Sequence, residues 1–111
     1  MMKLRYRFAL LAIGPVAISF PALAADIAAG QAKAKEVCQA CHGMDGNSAT
    51  PDYPKLGGQY PTYLAKALRD YKSGARKNPI MQGFAATLST RDIDNVAAYY
   101  SSQPPAVVTR Y

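Results

Sequence analysis

The chain has 111 residues, of which 13 are basic and 7 are acidic, so its formal net charge at neutral pH is +6. It contains only two cysteines and one histidine. These are too few for a closed zinc site, which needs about four such ligands. A chain of this length forms one small domain that can bury only a modest apolar core of its own.

The first 24 residues are typical of a secretory signal peptide. Basic residues at positions 3, 5 and 7 precede a mostly apolar segment, residues 8–20, and Ala22-Leu23-Ala24 fits the small-x-small cleavage pattern. The apolar segment is short for a membrane span, which needs about 20 residues, although an uncleaved anchor is the alternative. We expect export to the periplasm, cleavage after Ala24 and no stable membrane insertion afterwards.

Cleavage would leave one domain, residues 25–111, with ten basic and seven acidic side chains and a net charge of +3. The full-length charge therefore overstates how basic the mature protein is, and we expect no nucleic-acid partner. Three helical segments are predicted in this domain, joined by loops rich in Gly, Pro and Asn, and no strand pattern is convincing. The sequence predicts an all-α fold.

The first predicted helix begins near Asp26, a plausible N-cap, and runs to about Ala40. It leads into Cys38-Gln39-Ala40-Cys41-His42, a C-x-x-C-H sequence typical of covalent haem attachment. Each thiol can form a thioether with one vinyl group of the porphyrin, and His42 can then bind the iron as proximal ligand. A redox-active dithiol is the alternative, which the adjacent histidine and the missing βαβ pattern disfavour.

We therefore expect one covalent haem c, attached through Cys38 and Cys41. A large apolar cofactor inside so small a domain would supply much of the core that the chain lacks. Because such a group binds the folded state, we expect it to stabilise the fold as well as to carry the function.

The segment from Met44 to Gln59 is predicted to be an irregular loop because it is rich in Gly and Pro. An iron-binding histidine needs an acceptor for its outer ring N–H, and a backbone carbonyl commonly provides it. Pro54 is the candidate in this loop, because the proline ring restricts the direction of its carbonyl. An ordinary turn proline is the alternative.

The second predicted helix begins at Tyr60 or Pro61 and ends at Gly74. Its apolar face is formed by residues 63, 64, 67, 68 and 71. The following segment, residues 75–88, is predicted to be a second loop. It contains Asn78-Pro79-Ile80-Met81.

Met81 is the candidate for the second iron ligand. His42 is the only histidine, so a second histidine from the same chain is excluded. Met1 and Met2 leave with the signal peptide, and Met44 follows His42 too closely to reach the opposite face of the ring. A thioether opposite an imidazole raises the reduction potential and closes the iron to outside ligands. The alternative is a core-filling Met81 with an open or water-bound distal site.

The third predicted helix spans about Thr90 to Ser102. Ser89 and Asp92 resemble a capping box with Asp in place of Glu. Pro104 and Pro105 end the segment. Its apolar face consists of Ile93, Val96, Ala97 and Tyr100.

The ordered set of motifs along residues 26–111 resembles a class I cytochrome c. More narrowly it is similar to single-haem c-553-type proteins and to one lobe of the dihaem cytochrome c4. The resemblance implies three or four helices around one haem, a Pro54 carbonyl bonded to His42, and Met81 as sixth ligand. It also implies that Gly30 lets the first helix cross closely against the last, near Val96 and Tyr99. The motifs that carry it are C-x-x-C-H, Pro54-x-Leu56-Gly57-Gly58-Gln59, Tyr63-Leu64, Gly74-x-Arg76, Met81, Leu88-Ser89-x-x-Asp92-Ile93 and Ala97-Ala98-Tyr99-Tyr100.

The favoured function is a soluble periplasmic one-electron carrier, which is an electron-transfer protein and not an enzyme. One alternative is a cytochrome subunit permanently bound to a periplasmic dehydrogenase. Another is a haem sensor or peroxidase-like enzyme, which the lack of a histidine in the Met81 segment disfavours.

The expected partners are redox enzymes of a respiratory or dehydrogenase chain, and we expect a monomer or a weak dimer. The basic side chains of the mature domain are concentrated in the first two helices and before Met81, where they would steer the protein to acidic docking sites. An ordinary solvated surface is the alternative. These residues are Lys33, Lys35, Lys55, Lys66, Arg69, Lys72, Arg76 and Lys77.

Overall fold

The computed structural model describes residues 14–17 and 23–105. Residues 23–105 contain five helices: α1 (Ile27–Val37), α2 (Gln39–His42), α3 (Pro61–Ser73), α4 (Pro79–Ala86) and α5 (Thr90–Ser101). The all-α class is confirmed, since these described residues contain no strand. Most of the predicted signal peptide, residues 1–13 and 18–22, lies outside the described residues. Within the described residues, no helix has both the length and the apolar character needed to cross a membrane.

The first helical segment is divided at Cys38. Asp26 caps α1, because its side chain accepts a hydrogen bond from the Ala29 N–H at 3.0 Å. The sequence predicted a continuous helix to about Ala40, whereas α1 ends at Val37 and a separate short helix, α2, continues to His42. Gly43 ends α2 with φ +79°, a backbone conformation that glycine adopts without a Cβ penalty. The break places the haem-attachment sequence on its own turn.

The prediction of a loop over residues 75–88 was wrong in one respect, because most of this segment forms α4. Asn78 caps this helix, with its side chain accepting hydrogen bonds from the N–H groups of Ile80 and Met81, both at 3.1 Å. Pro79 occupies the first turn, where its missing N–H costs no hydrogen bond. The Asn-Pro pair therefore starts a helix here instead of a turn.

The core lies where α5 packs against α1 and α3. The predicted capping box at the start of α5 is confirmed: Asp92 N–H donates to Ser89 Oγ at 3.0 Å, and Ser89 N–H donates to Asp92 Oδ2 at 2.9 Å. The buried apolar cluster comprises Ala34, Leu64, Ala65, Leu88, Ile93, Val96, Ala97, Tyr99 and Tyr100.

Gly30 is the point of closest approach between α1 and α5. A Cβ built on Gly30 would lie 2.0 Å from the Asn95 carbonyl oxygen and 2.9 Å from Tyr99 Cβ. The close crossing implied by the resemblance is present, with Asn95 and Tyr99 as the nearest residues. The contact also anchors the start of the domain, because Asp26 N–H donates to Asn95 Oδ1 at 2.8 Å.

Candidate haem site

Cys38 lies at the junction of α1 and α2, and Cys41 and His42 follow it within α2. The N–H groups of Cys41 and His42 both point to the Cys38 carbonyl, at 3.3 and 3.0 Å. Neither thiol forms a disulfide, and both are partly buried. Burial raises the pKa of the Cys38 thiol to about 11, although a hydrogen bond with Tyr100 acts in the opposite direction. An unattached Cys38 would therefore stay protonated at neutral pH.

His42 is buried and has one ring nitrogen engaged by the loop that follows it. The residue is 6% exposed, and its Nδ1 lies 2.9 Å from the Pro54 carbonyl oxygen. Because a carbonyl can only accept, Nδ1 carries the proton in this contact. Nε2 is then left unprotonated and available to bind a metal ion, which is the arrangement that iron-binding histidines use.

An apolar cleft opens beside His42. Two adjoining cavities make up this cleft, since they share six of their lining residues: Cys38, His42, Pro54, Leu68, Tyr71 and Met81. Cys41 lines one of the two cavities. Leucine, valine and tyrosine side chains from α3 and α5 complete much of the second.

The two methionines that remain after the predicted leader have different surroundings. Met81 lies on the first turn of α4 and lines both parts of the cleft. Met44 packs against the buried core cluster and lines neither part. Met81 thus shares the cleft with His42 from a different helix, and the Asn78 cap determines where its helix begins.

Several contacts near His42 and the cleft could not be predicted from the sequence. Tyr53 places its ring edge towards His42, with centroids 6.3 Å apart. Tyr99 and Tyr100 donate their hydroxyls to the carbonyls of Met44 and Gly43, at 2.7 and 3.0 Å. These contacts join residues that are 55 and 57 positions apart, so only the adjacent pair of tyrosines was visible as a sequence signal.

Arg76 forms a cationic part of the cleft wall. Its guanidinium lies 4.8 Å from the centre of the Tyr71 ring, within the range of a cation–π contact. A hydrogen bond with Tyr63 and the proximity of Tyr71 raise the pKa of Arg76. All three side chains line the same part of the cleft.

The residues present fit a covalently attached haem. Two thiols lie on one turn next to a histidine with a free Nε2, and an apolar cleft beside them is also lined by a thioether side chain. In the described part of the chain, no cluster of three or more His, Cys, Asp or Glu side chains could bind a bare metal ion instead. The fold and the site define a c-type cytochrome of class I.

Comparison with known proteins agrees with this class. A family model described as cytochrome c oxidase, cbb3-type, subunit III matches residues 25–99. The chain belongs to this family of c-type cytochrome domains, and its cofactor is covalent haem c.

Some curated relatives are about as long as the matched region, and others are about twice as long. Cytochrome c4 of Pseudomonas aeruginosa is 51% identical over 84 residues, which are 76% of this chain and 41% of the relative. Cytochrome c-554(548) of Halomonas halodenitrificans is 47% identical over 83 residues, 72% of this chain and 99% of the relative. A thiosulfate dehydrogenase electron acceptor of Stutzerimonas stutzeri is 43% identical over 76 residues, 68% of this chain and 35% of the relative.

The crystal structure of reduced recombinant cytochrome c4 from Pseudomonas stutzeri has the same fold. It superposes with a TM-score of 0.70 at 46% sequence identity, covering 76% of this chain and 48% of that chain. The chain spans about half the length of the cytochrome c4 proteins that it matches.

Proposed function

We propose that the mature domain, residues 25–111, is a one-electron carrier of the periplasm whose haem iron has His42 and Met81 as axial ligands. The observation that carries this proposal is the shared cleft: His42 and Met81 line both parts of it from different helices. Bound haem c supplies the redox chemistry, because its iron can take up and release a single electron.

The chain itself tunes and protects that site. Pro54 accepts the His42 Nδ1 proton, which fixes the ring orientation and makes the imidazole a stronger donor. A methionine as second ligand raises the reduction potential and favours electron transfer over ligand binding. The apolar side chains from α3 and α5 exclude water from the cleft, which further favours the less charged state of the centre.

Methionine substitutions test the ligation. Met81→Ala should remove the long-wavelength absorption band that sulfur–ferric iron bonding produces and should lower the reduction potential. Met44→Ala is the matched control, because Met44 packs against the core outside the cleft. It should lower stability but leave the band and the potential nearly unchanged. The reverse pattern would contradict Met81 as ligand.

Covalent attachment is tested separately with the cysteines. Either single Cys→Ala variant, at position 38 or 41, should leave at most one thioether bond to the haem. The double variant should lose all haem to acid–acetone extraction. Retention of haem by the double variant would contradict the attachment sites.

Export is part of the proposal and has its own test. Mass determination of protein from the periplasmic fraction should give a chain that starts at Ala25.

In the structure Arg91 donates to the carbonyls of Leu23 and Ala24, at 2.9 and 2.7 Å. Cleavage after Ala24 would remove both acceptors from the mature protein, so Arg91→Ala should then leave its stability unchanged.

We propose that docking uses the cations beside the cleft rather than the whole basic set. Lys55 and Arg76 line the cleft, and Lys77 adjoins Asn78, which also lines it. Other members are engaged elsewhere: Lys33 pairs with Glu36, Lys66 with Asp70, and Arg69 with Asp94, while Lys72 donates to the Leu88 carbonyl. With a mature charge of only +3, steering to an acidic partner should be moderate and the complexes short-lived.

A bound subunit of a dehydrogenase is the second candidate. It is favoured by the similarity to a protein named thiosulfate dehydrogenase electron acceptor. Gel filtration of protein purified from its native periplasm separates the two. A free carrier elutes as a monomer or weak dimer, whereas a bound subunit elutes with its enzyme at moderate and at high salt.

A further inference from the structure

The Pro54 carbonyl lies in a segment without helical hydrogen bonds, so something else must direct it at His42. The backbone carbonyl of Gly46, at the start of the loop, joins it to the end of the loop. This carbonyl accepts hydrogen bonds from the N–H groups of Leu56 and Gly57, at 2.7 and 3.2 Å. This closure limits the path of the loop. It does not determine the orientation of the peptide planes on either side of Pro54.

Ser48 is the buried polar residue inside this loop. It is 5% exposed and is one of three buried polar or charged residues in the described part of the chain, the others being His42 and Asn95. Its Oγ lies 2.5 Å from the Tyr53 carbonyl oxygen and 3.3 Å from that of Thr50. A hydroxyl has one proton, and the nearer carbonyl, that of Tyr53, is its acceptor.

The Tyr53 carbonyl belongs to the peptide plane that ends at the Pro54 nitrogen. A hydrogen bond from Ser48 therefore fixes the plane that precedes Pro54. The proline ring fixes the next rotation, since it restricts φ to about −65°. Only rotation about ψ of Pro54 then remains to aim its carbonyl, and the His42 contact at 2.9 Å defines that angle.

We infer that Ser48 is a positioning residue for the haem iron: through the Tyr53–Pro54 peptide it sets the hydrogen bond that orients His42 and tunes its strength as a ligand. This inference rests on the proposed ligation of iron by His42. A weaker bond at Nδ1 leaves less electron density on the imidazole, so loss of the Ser48 hydroxyl raises the reduction potential.

The experiment compares Ser48→Ala with Ser102→Ala in the haem-loaded protein. Ser102 Oγ also donates to a backbone carbonyl, that of Tyr99 at 2.6 Å, but it lies at the end of α5 and outside the cleft. Two quantities are measured: the exchange rate of the His42 Nδ1 proton, by NMR of the ferrous protein, and the reduction potential. Thermal stability is recorded for both variants.

We expect Ser48→Ala to speed proton exchange roughly tenfold, the factor that corresponds to one lost hydrogen bond of about 1.4 kcal/mol, and to raise the potential. Ser102→Ala should lose comparable stability and change neither quantity. Ser48→Thr keeps the donor and should match the wild type in both. This third variant keeps the test decisive if Ser48→Ala accumulates poorly, since a Thr variant with fast exchange and a raised potential would overturn the role of the hydroxyl.

The NMR spectrum of the wild-type ferrous protein distinguishes an incorrect role for Ser48 from an incorrect iron ligand. If the wild-type ferrous spectrum shows no haem-shifted His42 ring protons, the ligation by His42 is wrong and the inference falls with it. If those protons are shifted but Ser48→Ala leaves exchange and potential unchanged, the ligation stands and Ser48 merely stabilises the loop.

Discussion

Replacing Gly30 with alanine should destabilise the protein although it improves helix propensity. The new Cβ would lie 2.0 Å from the Asn95 carbonyl oxygen and 2.6 Å from its carbon. Ordinary van der Waals contact of a Cβ begins at 3.4 Å. The neighbours are α5 backbone, which cannot rotate away as a side chain can, so α1 must shift outward and strain the hydrogen bond from Asp26 N–H to Asn95 Oδ1.

The expected change in the free energy of unfolding is the difference between two opposing effects of the new methyl group. Overpacking a tight contact costs about 3 kcal/mol at the upper end of the usual range, whereas Ala in place of Gly in a helix gains about 1 kcal/mol. The expected net loss in the free energy of unfolding is about 2 kcal/mol. For a domain of this size that corresponds to a fall in melting temperature of about 8–16 °C.

Thermal unfolding of the haem-loaded protein, followed by helical circular dichroism, measures this effect. Gly83→Ala is the matched control, because Gly83 lies within α4 and a Cβ there would meet no atom within 4 Å. That variant should be as stable as the wild type or up to about 1 kcal/mol more stable. If Gly30→Ala were equally well tolerated, the close crossing of α1 and α5 would be refuted.

Two further predictions concern charge. The N–H and hydroxyl of Ser89 lower the pKa of Asp92, so Asp92 contributes stability above its unfolded pKa of about 3.9 that is lost as the pH falls through its lower folded value. Asp92→Asn should therefore lower the free energy of unfolding by about 0.5–1 kcal/mol at pH 7. The denaturation midpoints of the variant and the wild type should converge below about pH 4. A constant difference between them at all pH values would contradict this prediction. Lys77→Glu should slow electron transfer to an anionic partner roughly threefold at low salt and flatten the salt dependence, because Lys77 adjoins Asn78, which lines the cleft. Lys35→Glu, the same charge reversal at an exposed site on α1, should have a smaller effect on both. Equal effects of the two reversals in stopped-flow measurements would indicate net charge and not a docking surface.

Local patterns in the sequence were sufficient for much of this protein. The spacing of Cys38, Cys41 and His42 indicates the cofactor, because both thiols and the ligand must come from one turn. The capping box at Ser89 and Asp92 marks the start of α5 through contacts that span only three residues. Elimination predicts Met81 as the second iron ligand, since the sequence offers few other side chains that bind haem iron.

The tertiary structure decided what depends on distant residues. It placed Met81 on a helix and not in a loop, because the residues of α4 pack beside α3. It brought the hydroxyls of Tyr99 and Tyr100 to the turn after His42, and it buried Ser48 against the carbonyl of Tyr53, in the peptide that precedes Pro54. Hydrogen bonds of this kind leave no periodic trace in a sequence, since they depend on where separate segments meet once the core between α1, α3 and α5 has formed.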